Sequence, residues 1–262
     1  MKIGFIGTGN MGYALLQAAA KCEGNEILVY DKDESKAQDV AASTGTSYAD
    51  ARTIAGECDY VFLGVKPNII HYVIGEIKDH IGDGTTLVSM AAGVKIRSIE
   101  DMLGSNEISV IRIMPNLAVA IGEGTILWCA NNAAKDSVRT FIDVMGAAGV
   151  FTSIDEERID AGSAISGCGP AFAYMFIDAL ADGGAECGLT REEAIGYAAQ
   201  ALIGAARMVQ ENDKPPKQLR DEVCSPGGST IEGVKALENG AFSATVASAV
   251  KASYKKTCEL GK

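Results

Sequence analysis

The sequence has few of the residues from which metal sites and disulfide frameworks are built. It contains two histidines, His71 and His80, and seven cysteines, none of which form a C-x-x-C pair. An odd number of widely spaced cysteines is typical of free or buried thiols in a reducing compartment. Zinc sites and Ser-His-Asp triads need histidines, and a chain with only two offers few candidates for either. We therefore expect no metal cofactor.

Basic charge and long apolar runs are also scarce. The chain has 23 Lys and Arg against 34 Asp and Glu, a net charge of −11. This balance argues against a nucleic-acid partner, because binding a phosphate backbone needs a basic face. No uninterrupted apolar run approaches the roughly 20 residues that span a bilayer, and the first residues lack the pattern of a signal peptide. These absences predict a cytoplasmic protein without a membrane partner.

Alternating strand and helix patterns predict the fold of the first 153 residues. Apolar runs typical of strands occupy residues 2–6, 26–30, 60–65, 86–90 and 110–114, with 125–129 and 150–152 as candidate edge strands. Helical patterns follow several of them, at residues 13–21, 34–44 and from about 68 to 77. Such alternation implies right-handed crossovers and a mostly parallel sheet. Residues 1–153 are therefore predicted to be an α/β domain with a doubly wound parallel sheet of the Rossmann type.

The pattern becomes wholly helical after a boundary that we place at about residue 153. Helical periodicity covers residues 156–187, 190–212, 214–223 and 229–260. Pro170 should kink or divide the first of these helices, and the acidic residues that open it are interpreted as charge favoured at a helix start. Residues 154–262 are predicted to be an all-α domain. Because Ala- and Gly-rich helices with no sheet to cover often pack on a second subunit, we expect a dimerisation domain.

The segment Gly7-Thr8-Gly9-Asn10-Met11-Gly12 follows the first predicted strand and opens a helix. Gly7 allows a tight turn, Gly9 lets a pyrophosphate approach the backbone, and Gly12 lets the helix pack on the sheet. The free N–H groups and the positive end of the helix dipole would hold the phosphates. This context predicts a nicotinamide dinucleotide site, with a ligand-free glycine turn as the alternative.

Asp31 ends the second predicted strand, about 20 residues after the glycines. A carboxylate there accepts hydrogen bonds from the adenosine ribose hydroxyls and repels a 2′-phosphate, which favours NAD over NADP. Lys32 beside it would instead attract a 2′-phosphate. NADH is modestly favoured, and both NADH and NADPH remain candidates.

A second loop, Ser225-Pro226-Gly227-Gly228-Ser229-Thr230, precedes a helix in the predicted all-α domain. Flexible glycines, hydroxyls and backbone N–H groups at a helix start are typical of an anion nest. A capped helix with a Gly-Gly hinge has the same composition. The residues alone do not decide between the two.

The ordered set of motifs over nearly the whole chain resembles the pyrroline-5-carboxylate reductase family. The motifs that carry this resemblance are Phe5–Gly12, Val65–Pro67, Ala91–Gly93, Arg112–Asn116, Ser166–Ala171, Asp178–Gly184 and Ser225–Ile231. The resemblance implies a Rossmann domain followed by an all-α domain that interleaves with its partner in a homodimer, and in many members dimers assemble into decamers. It also implies reduction of (S)-1-pyrroline-5-carboxylate to L-proline by NADH or NADPH, the last step of proline biosynthesis.

The same resemblance implies roles for individual residues. The cofactor-binding positions are Gly7, Thr8, Gly9, Asn10, Met11, Gly12, Val65, Lys66, Pro67, Ala91 and Asn116, in addition to Asp31. The substrate-binding positions are Val223, Ser225, Gly227, Gly228, Ser229 and Thr230. The Thr230 hydroxyl is expected to hydrogen-bond the ring nitrogen and relay a proton. Two positions depart from the family pattern: Asp31 stands where NADPH-preferring members have small or basic residues, and Cys168 stands where Ser is frequent.

Two other functions fit part of the sequence. A β-hydroxyacid dehydrogenase also joins a Rossmann half to a helical half, but it uses a lysine on a second-domain helix, and residues 166–186 contain no lysine. A non-catalytic module that senses the dinucleotide would need the first domain but not the hydroxyl-bearing loop at residues 225–230.

Overall fold

The computed structural model describes residues 1–260. Their contacts form two compact units: Met1–Cys168 together with the chain from Ala252 onward, and Gly169–Lys251. The division falls after Cys168 because the helix that begins at Glu156 packs on the sheet of the first unit. A functional domain boundary at about residue 153 stays a prediction.

The first unit is built on an eight-stranded sheet in the order β3-β2-β1-β4-β5-β6-β7-β8. Neighbouring strands from β3 to β6 are parallel, β7 is antiparallel to β6, and β8 is parallel to β7. The strands are β1 Lys2–Ile6, β2 Glu26–Tyr30, β3 Ser47–Tyr48, β4 Tyr60–Leu63, β5 Thr86–Ser89, β6 Ser109–Met114, β7 Gly124–Ala130 and β8 Gly149–Ser153. The central strands are buried on both faces, which is why they are continuous apolar runs.

Helices cover both faces of this sheet and enclose two hydrophobic clusters. Ile54, Ile74 and Ile99 pack on one face, and Leu15 and Phe141 pack on the other. The helices are α1 Asn10–Ala20, α2 Glu34–Thr44, α3 Ala51–Glu57, α4 Ile70–Ile77, α5 Ile96–Leu103, α6 Ser137–Val144 and α7 Glu156–Ser166. The predicted α/β class with a mostly parallel, doubly wound sheet is confirmed.

Three details of the first unit differ from the sequence prediction. Strand β7 lies between β6 and β8, so the prediction that residues 125–129 form an edge strand is wrong. Helices α3, α5 and α6 and the two-residue strand β3 were not predicted. Strand β3 has two residues and α3 has seven, which is too short to show a clear period, whereas the apolar stripe of Ile96, Ile99 and Leu103 in α5 was overlooked.

A buried arginine joins α7 to the sheet. Arg112 on β6 is fully buried, its Nη1 lies 3.4 Å from Glu156 Oε1, and its Nη2 lies 2.5 Å from Asp160 Oδ1. Glu156 Oε1 also accepts a hydrogen bond of 2.7 Å from the N–H of Ile96, at the start of α5. The acidic residues at the start of α7 are therefore more than charge favoured at a helix start, because Glu156 in the first turn and Asp160 in the second neutralise a buried guanidinium.

The second unit is helical. It contains α8 Gly169–Glu186, α9 Arg191–Glu211, α10 Pro216–Val223 and α11 Ser229–Asn239, and α12 Phe242–Leu260 continues from it into the first unit. The prediction that Pro170 divides the first long helix is confirmed, since α7 ends at Ser166 and α8 begins at Gly169. Thr190 and Glu193 form a reciprocal capping box at the start of α9. Arg191 pairs with Asp178 and Asp182 and so links α9 to α8.

The helices of the second unit expose much apolar surface. Within α8 only Ala181 is buried, and Tyr174 and Met175 are 65% and 72% exposed. Taken together, α7 and α8 (Glu156–Glu186, 31 residues) form a segment that is long and apolar enough to cross a membrane, by length and composition only. Within residues 1–260, these apolar side chains are not covered.

Candidate functional sites

The predicted cofactor residues of the first unit lie at one edge of the sheet. Gly7 follows β1, Asp31 follows β2, and the segments at Val65–Pro67, Ala91 and Asn116 follow β4, β5 and β6. Parallel strands end at the same edge, so the structure brings all of these positions together. Because the order of the strands reverses between β1 and β4, this edge contains the switch point at which doubly wound sheets bind ligands.

The glycines of the turn are required for different reasons. Gly7 has a φ of +103°, and a Cβ there would lie 2.5 Å from the carbonyl oxygen of Gly64. A Cβ on Gly12 would lie 2.2 Å from the carbonyl oxygen of Gly7. A Cβ on Gly9 would meet nothing within 4 Å, and Gly9 has an ordinary φ of −64°. The fold needs Gly7 and Gly12, whereas Gly9 leaves open space beside the backbone.

The start of α1 has the features of a phosphate site. Gly9 is its N-cap, and no side chain from the described part of the chain caps it. The first N–H groups of the helix therefore face the open space beside Gly9, where the helix dipole favours an anion. The residues present fit the pyrophosphate of a dinucleotide.

Asp31 is tied directly to the glycine turn. Its Oδ2 accepts hydrogen bonds from the N–H of Thr8 at 2.8 Å and from the Thr8 hydroxyl at 2.9 Å. Its Oδ1 accepts from the N–H of Asp33 at 3.2 Å, and the ammonium of Lys36 lies 3.3 Å from Oδ2. Burial acts to raise the pKa of Asp31, but these hydrogen bonds outweigh it and hold the pKa below its ordinary value. Asp31 is thus an ionised group that orders the turn.

The other predicted cofactor positions differ in exposure. Lys66 is exposed, Val65 and Pro67 are half-buried, and Ala91 is buried. Asn116 is also buried: its Nδ2 donates to the carbonyl oxygen of Ser166 at 2.9 Å, and its Oδ1 accepts from the N–H of Ala118 at 3.2 Å. Asn116 therefore holds the end of α7 against the loop after β6, whatever contact it makes with a cofactor.

The predicted substrate loop lies in the second unit, between α10 and α11. The N–H of Gly228 donates to the carbonyl oxygen of Ser225 at 3.0 Å and closes a four-residue turn. Pro226 is in its second position, and Gly227 is in its third with a φ of +71°, the arrangement that a type II turn requires. The sequence Ser-Pro-Gly-Gly is therefore explained by local backbone geometry.

The same loop presents its polar groups to solvent. Gly228 is the N-cap of α11, and no side chain among residues 1–260 caps this helix. Ser229 and Thr230 form its first turn and are exposed, as is Val223 at the end of α10. Free N–H groups and hydroxyls therefore stand together, which is the composition that an anion nest needs.

Other polar features of the first unit do not involve the predicted sites. A cavity of about 750 Å³ is lined by residues of α5, β7, β8 and α7, among them Arg97, Trp128 and Glu156. Burial raises the pKa of Cys58 and of Cys129 to about 12, so both thiols are unreactive near neutral pH. Within the described residues, no three His, Cys, Asp or Glu side chains are grouped so that they could hold a metal ion.

The strand, glycine turn and helix at the switch point define a dinucleotide-binding Rossmann protein with an added helical unit. Two family models match the chain: "NADP oxidoreductase coenzyme F420-dependent" over residues 2–93, and "Pyrroline-5-carboxylate reductase dimerisation" over residues 156–260. The helical part is therefore an oligomerisation domain.

Whole-chain relatives agree with this match. The chain is 36% identical to a pyrroline-5-carboxylate reductase of Arabidopsis thaliana, over 99% of this chain and 95% of the relative. It is 38% identical to pyrroline-5-carboxylate reductase 2 of Homo sapiens, over 99% and 84%. A crystal structure of Plasmodium falciparum pyrroline carboxylate reductase with NADP bound superposes with a TM-score of 0.91 at 32% identity, over 100% and 98%. The chain belongs to the pyrroline-5-carboxylate reductase family of NAD(P)H-dependent oxidoreductases.

Sequence reasoning missed two features of the dinucleotide edge. Thr8 was predicted to bind the cofactor, but its two hydrogen bonds to Asp31 were not predicted. Lys36 was not assigned at all, although its ammonium reaches the same carboxylate. A signal was present, because a lysine in the first turn of α2 starts close to the end of β2. Lys32, which was considered, is exposed.

Proposed function

We propose that the protein reduces the cyclic imine of 1-pyrroline-5-carboxylate to L-proline, with a hydride from NADH or NADPH. The observation that carries this proposal is the whole-chain identity to reductases of that name, in a chain that keeps an open glycine turn and a hydroxyl-bearing loop. The bound cofactor would supply the hydride, and the protein would supply binding, orientation and a proton.

The cofactor is assigned to the edge that begins with the glycine turn. The N–H groups at the start of α1 would hold its pyrophosphate beside Gly9. Asp31 would accept one ribose hydroxyl at Oδ1, which has capacity left after the bond from Asp33. We propose that this contact gives NADH a modest advantage, although both cofactors are used. The remaining contacts are assigned to Val65, Lys66, Pro67, Ala91 and Asn116.

The substrate carboxylate is assigned to the loop from Val223 to Thr230. The free N–H groups before and within the first turn of α11 would anchor it, with Ser225, Gly227, Gly228 and Ser229 forming the loop around it. The Thr230 hydroxyl would donate to the ring nitrogen. Since Thr has no ionisation near neutral pH, it orients the nitrogen and relays a proton that comes from solvent. The imine nitrogen gains this proton and C5 gains the hydride, which yields the secondary amine of proline.

The working form is proposed to be a homodimer with interleaved helical domains, which can assemble further into decamers. The apolar faces that α8 and α9 expose support a partner, since large unpaired apolar surfaces mark protein interfaces. We also propose a cytoplasmic location, because the described cysteines are all free thiols.

The assay is the consumption of NADH or NADPH by the purified protein with 1-pyrroline-5-carboxylate, with proline measured as the product. We expect turnover with both cofactors. The matched pair Thr230→Ser and Thr230→Val separates the hydroxyl from the shape of the side chain. A well-folded protein that binds a dinucleotide but forms no proline would contradict the reductase assignment and favour a sensing module.

A further inference from the structure

The ion pair between Asp31 and Lys36 changes the charge at the end of β2. Lys36 lies in the first turn of α2, and its Nζ is 3.3 Å from Asp31 Oδ2. The lysine side chain is 44% exposed and the aspartate side chain only 18% exposed. Seen from solvent, the positive member of the pair is therefore the more accessible one.

The carboxylate of Asp31 has little capacity left for a ligand. Oδ2 already receives the N–H and the hydroxyl of Thr8 as well as the ammonium of Lys36, and Oδ1 receives the N–H of Asp33. Each carboxylate oxygen offers about two acceptor positions, so Oδ2 is filled and Oδ1 has one position left. Asp31 can then accept one ribose hydroxyl but not two, and two such bonds would be needed for a strong preference for NADH over NADPH.

Lys36 also borders the space beside the glycine turn. It lines a cavity of about 420 Å³ together with Thr8, Gly9 and Asn10 of the turn and with Asp39 and Ser43 farther along α2, and among the described residues it is the only cationic one in that lining. Lys36 thus contacts the carboxylate that repels a 2′-phosphate and also borders the open space where the nucleotide is assigned. Lys32 is next to Asp31 in sequence, but its ammonium is not among the donors that reach the carboxylate within residues 1–260.

We propose that Lys36 is a specificity-determining residue that lets the ribose subsite accept a 2′-phosphate despite Asp31. This inference rests on the proposed use of NADH and NADPH and adds a residue that controls the balance between them. Lys36 neutralises the aspartate and supplies a cation to the phosphate. Lys36 thereby supports the use of NADPH, and without it the balance between the two cofactors would shift toward NADH.

The test measures nucleotide binding without any turnover. Adenosine 2′,5′-bisphosphate and 5′-AMP are titrated by calorimetry into the native protein, Lys36→Met, and the matched control Lys32→Met. We expect Lys36→Met to lower the affinity for the bisphosphate by about tenfold and the affinity for AMP by less than about twofold, since one charge pair near the surface is removed. Lys32→Met should keep the native ratio, and Lys36→Arg should restore it.

Several outcomes would overturn the proposal. The first is a loss of bisphosphate affinity in Lys32→Met instead of Lys36→Met. The second is an equal loss of affinity for both nucleotides in Lys36→Met, and the third is a native protein that does not bind the bisphosphate. If Lys36→Met does not fold, the ratio in Lys36→Arg and Lys36→Gln decides. The same samples are assayed with 1-pyrroline-5-carboxylate, so a shifted binding ratio without proline formation would reject the proposed reaction and leave the role of Lys36 standing.

Discussion

The carboxylate of Asp31 accepts two hydrogen bonds from Thr8, one from its main-chain N–H at 2.8 Å and one from its hydroxyl at 2.9 Å. The end of β2 is thereby fixed to the turn that follows β1. Asp31 therefore has a structural role in the turn, in addition to the ribose contact proposed for it.

The charge of Asp31 should make stability depend on pH. Its pKa in the folded protein lies below the ordinary 3.8, so its contribution is present above that value and is lost as the pH falls through the folded pKa. We expect the urea midpoint to fall more steeply in acid for the native protein than for Asp31→Asn, which has no charge to lose. Parallel acid profiles of the two proteins would show that the Thr8 bonds do not stabilise the ionised form.

Alanine at Gly9 and at Gly12 should have opposite effects on folding and binding. Gly9→Ala places a methyl group in open space at a normal φ, so the melting temperature should hardly change. Dinucleotide affinity should fall by roughly tenfold or more, because the methyl group takes the place of the pyrophosphate. Gly12→Ala drives a methyl group against the Gly7 carbonyl and should cost about 1–3 kcal/mol of stability.

Thermal unfolding measures the stability of the Gly9→Ala and Gly12→Ala proteins, and a fluorescence titration with NADH measures their dinucleotide affinity. A Gly9→Ala protein that binds NADH normally would place the pyrophosphate somewhere else.

The buried Arg112 should be one of the most sensitive positions in the first unit. Arg112→Met leaves Glu156 and Asp160 without their cation, and we expect a loss of about 3 kcal/mol in the free energy of unfolding. The control is Arg97→Met, which removes an exposed pair with Asp101 and should cost less than about 1 kcal/mol. Urea unfolding compares the two variants. Equal losses would mean that the buried pairs of α7 contribute no more than a surface pair.

The role of Thr230 is tested by its two closest replacements. Thr230→Val keeps the shape and removes the hydroxyl, and we expect kcat to fall by roughly 10²- to 10³-fold if the hydroxyl handles the proton. Thr230→Ser keeps the hydroxyl and should retain most of the rate. The effect should appear mainly in kcat, since the carboxylate is anchored by backbone N–H groups. A Val variant with native turnover would remove Thr230 from the mechanism.

The sheet and the glycine turn could be predicted because their signals are local. Strand β2 and helix α2 match the predicted residues 26–30 and 34–44, and α1 begins only three residues before its predicted start. A strand buried on both faces is a continuous apolar run, and an N-cap aspartate such as Asp33 marks the residue at which a helix begins. Helix α3 is also capped by an aspartate, Asp50, but its seven residues form only two turns and give no clear period.

The contacts that organise the sites could not be predicted because they join distant residues. Thr8 and Asp31 are 23 residues apart, Arg112 and Asp160 are 48 apart, and Asn116 and Ser166 are 50 apart. Composition identifies each of these residues as polar but does not say which partner it meets. The substrate loop was predictable only in part. Its Pro-Gly turn follows from local rules, but the exposure of Thr230 could not be predicted from the sequence.

Because α8 buries only Ala181 within its own chain, its folded state draws little stability from the protomer that contains it. The apparent melting temperature of the helical unit should then rise with protein concentration, as mass action requires when association and folding are linked. In a cell that makes two variants of this chain, a native subunit that pairs with a variant destabilised in α8 would stabilise the folded state of that variant. An excess of the destabilised variant would in turn reduce the number of dimers formed by two native subunits.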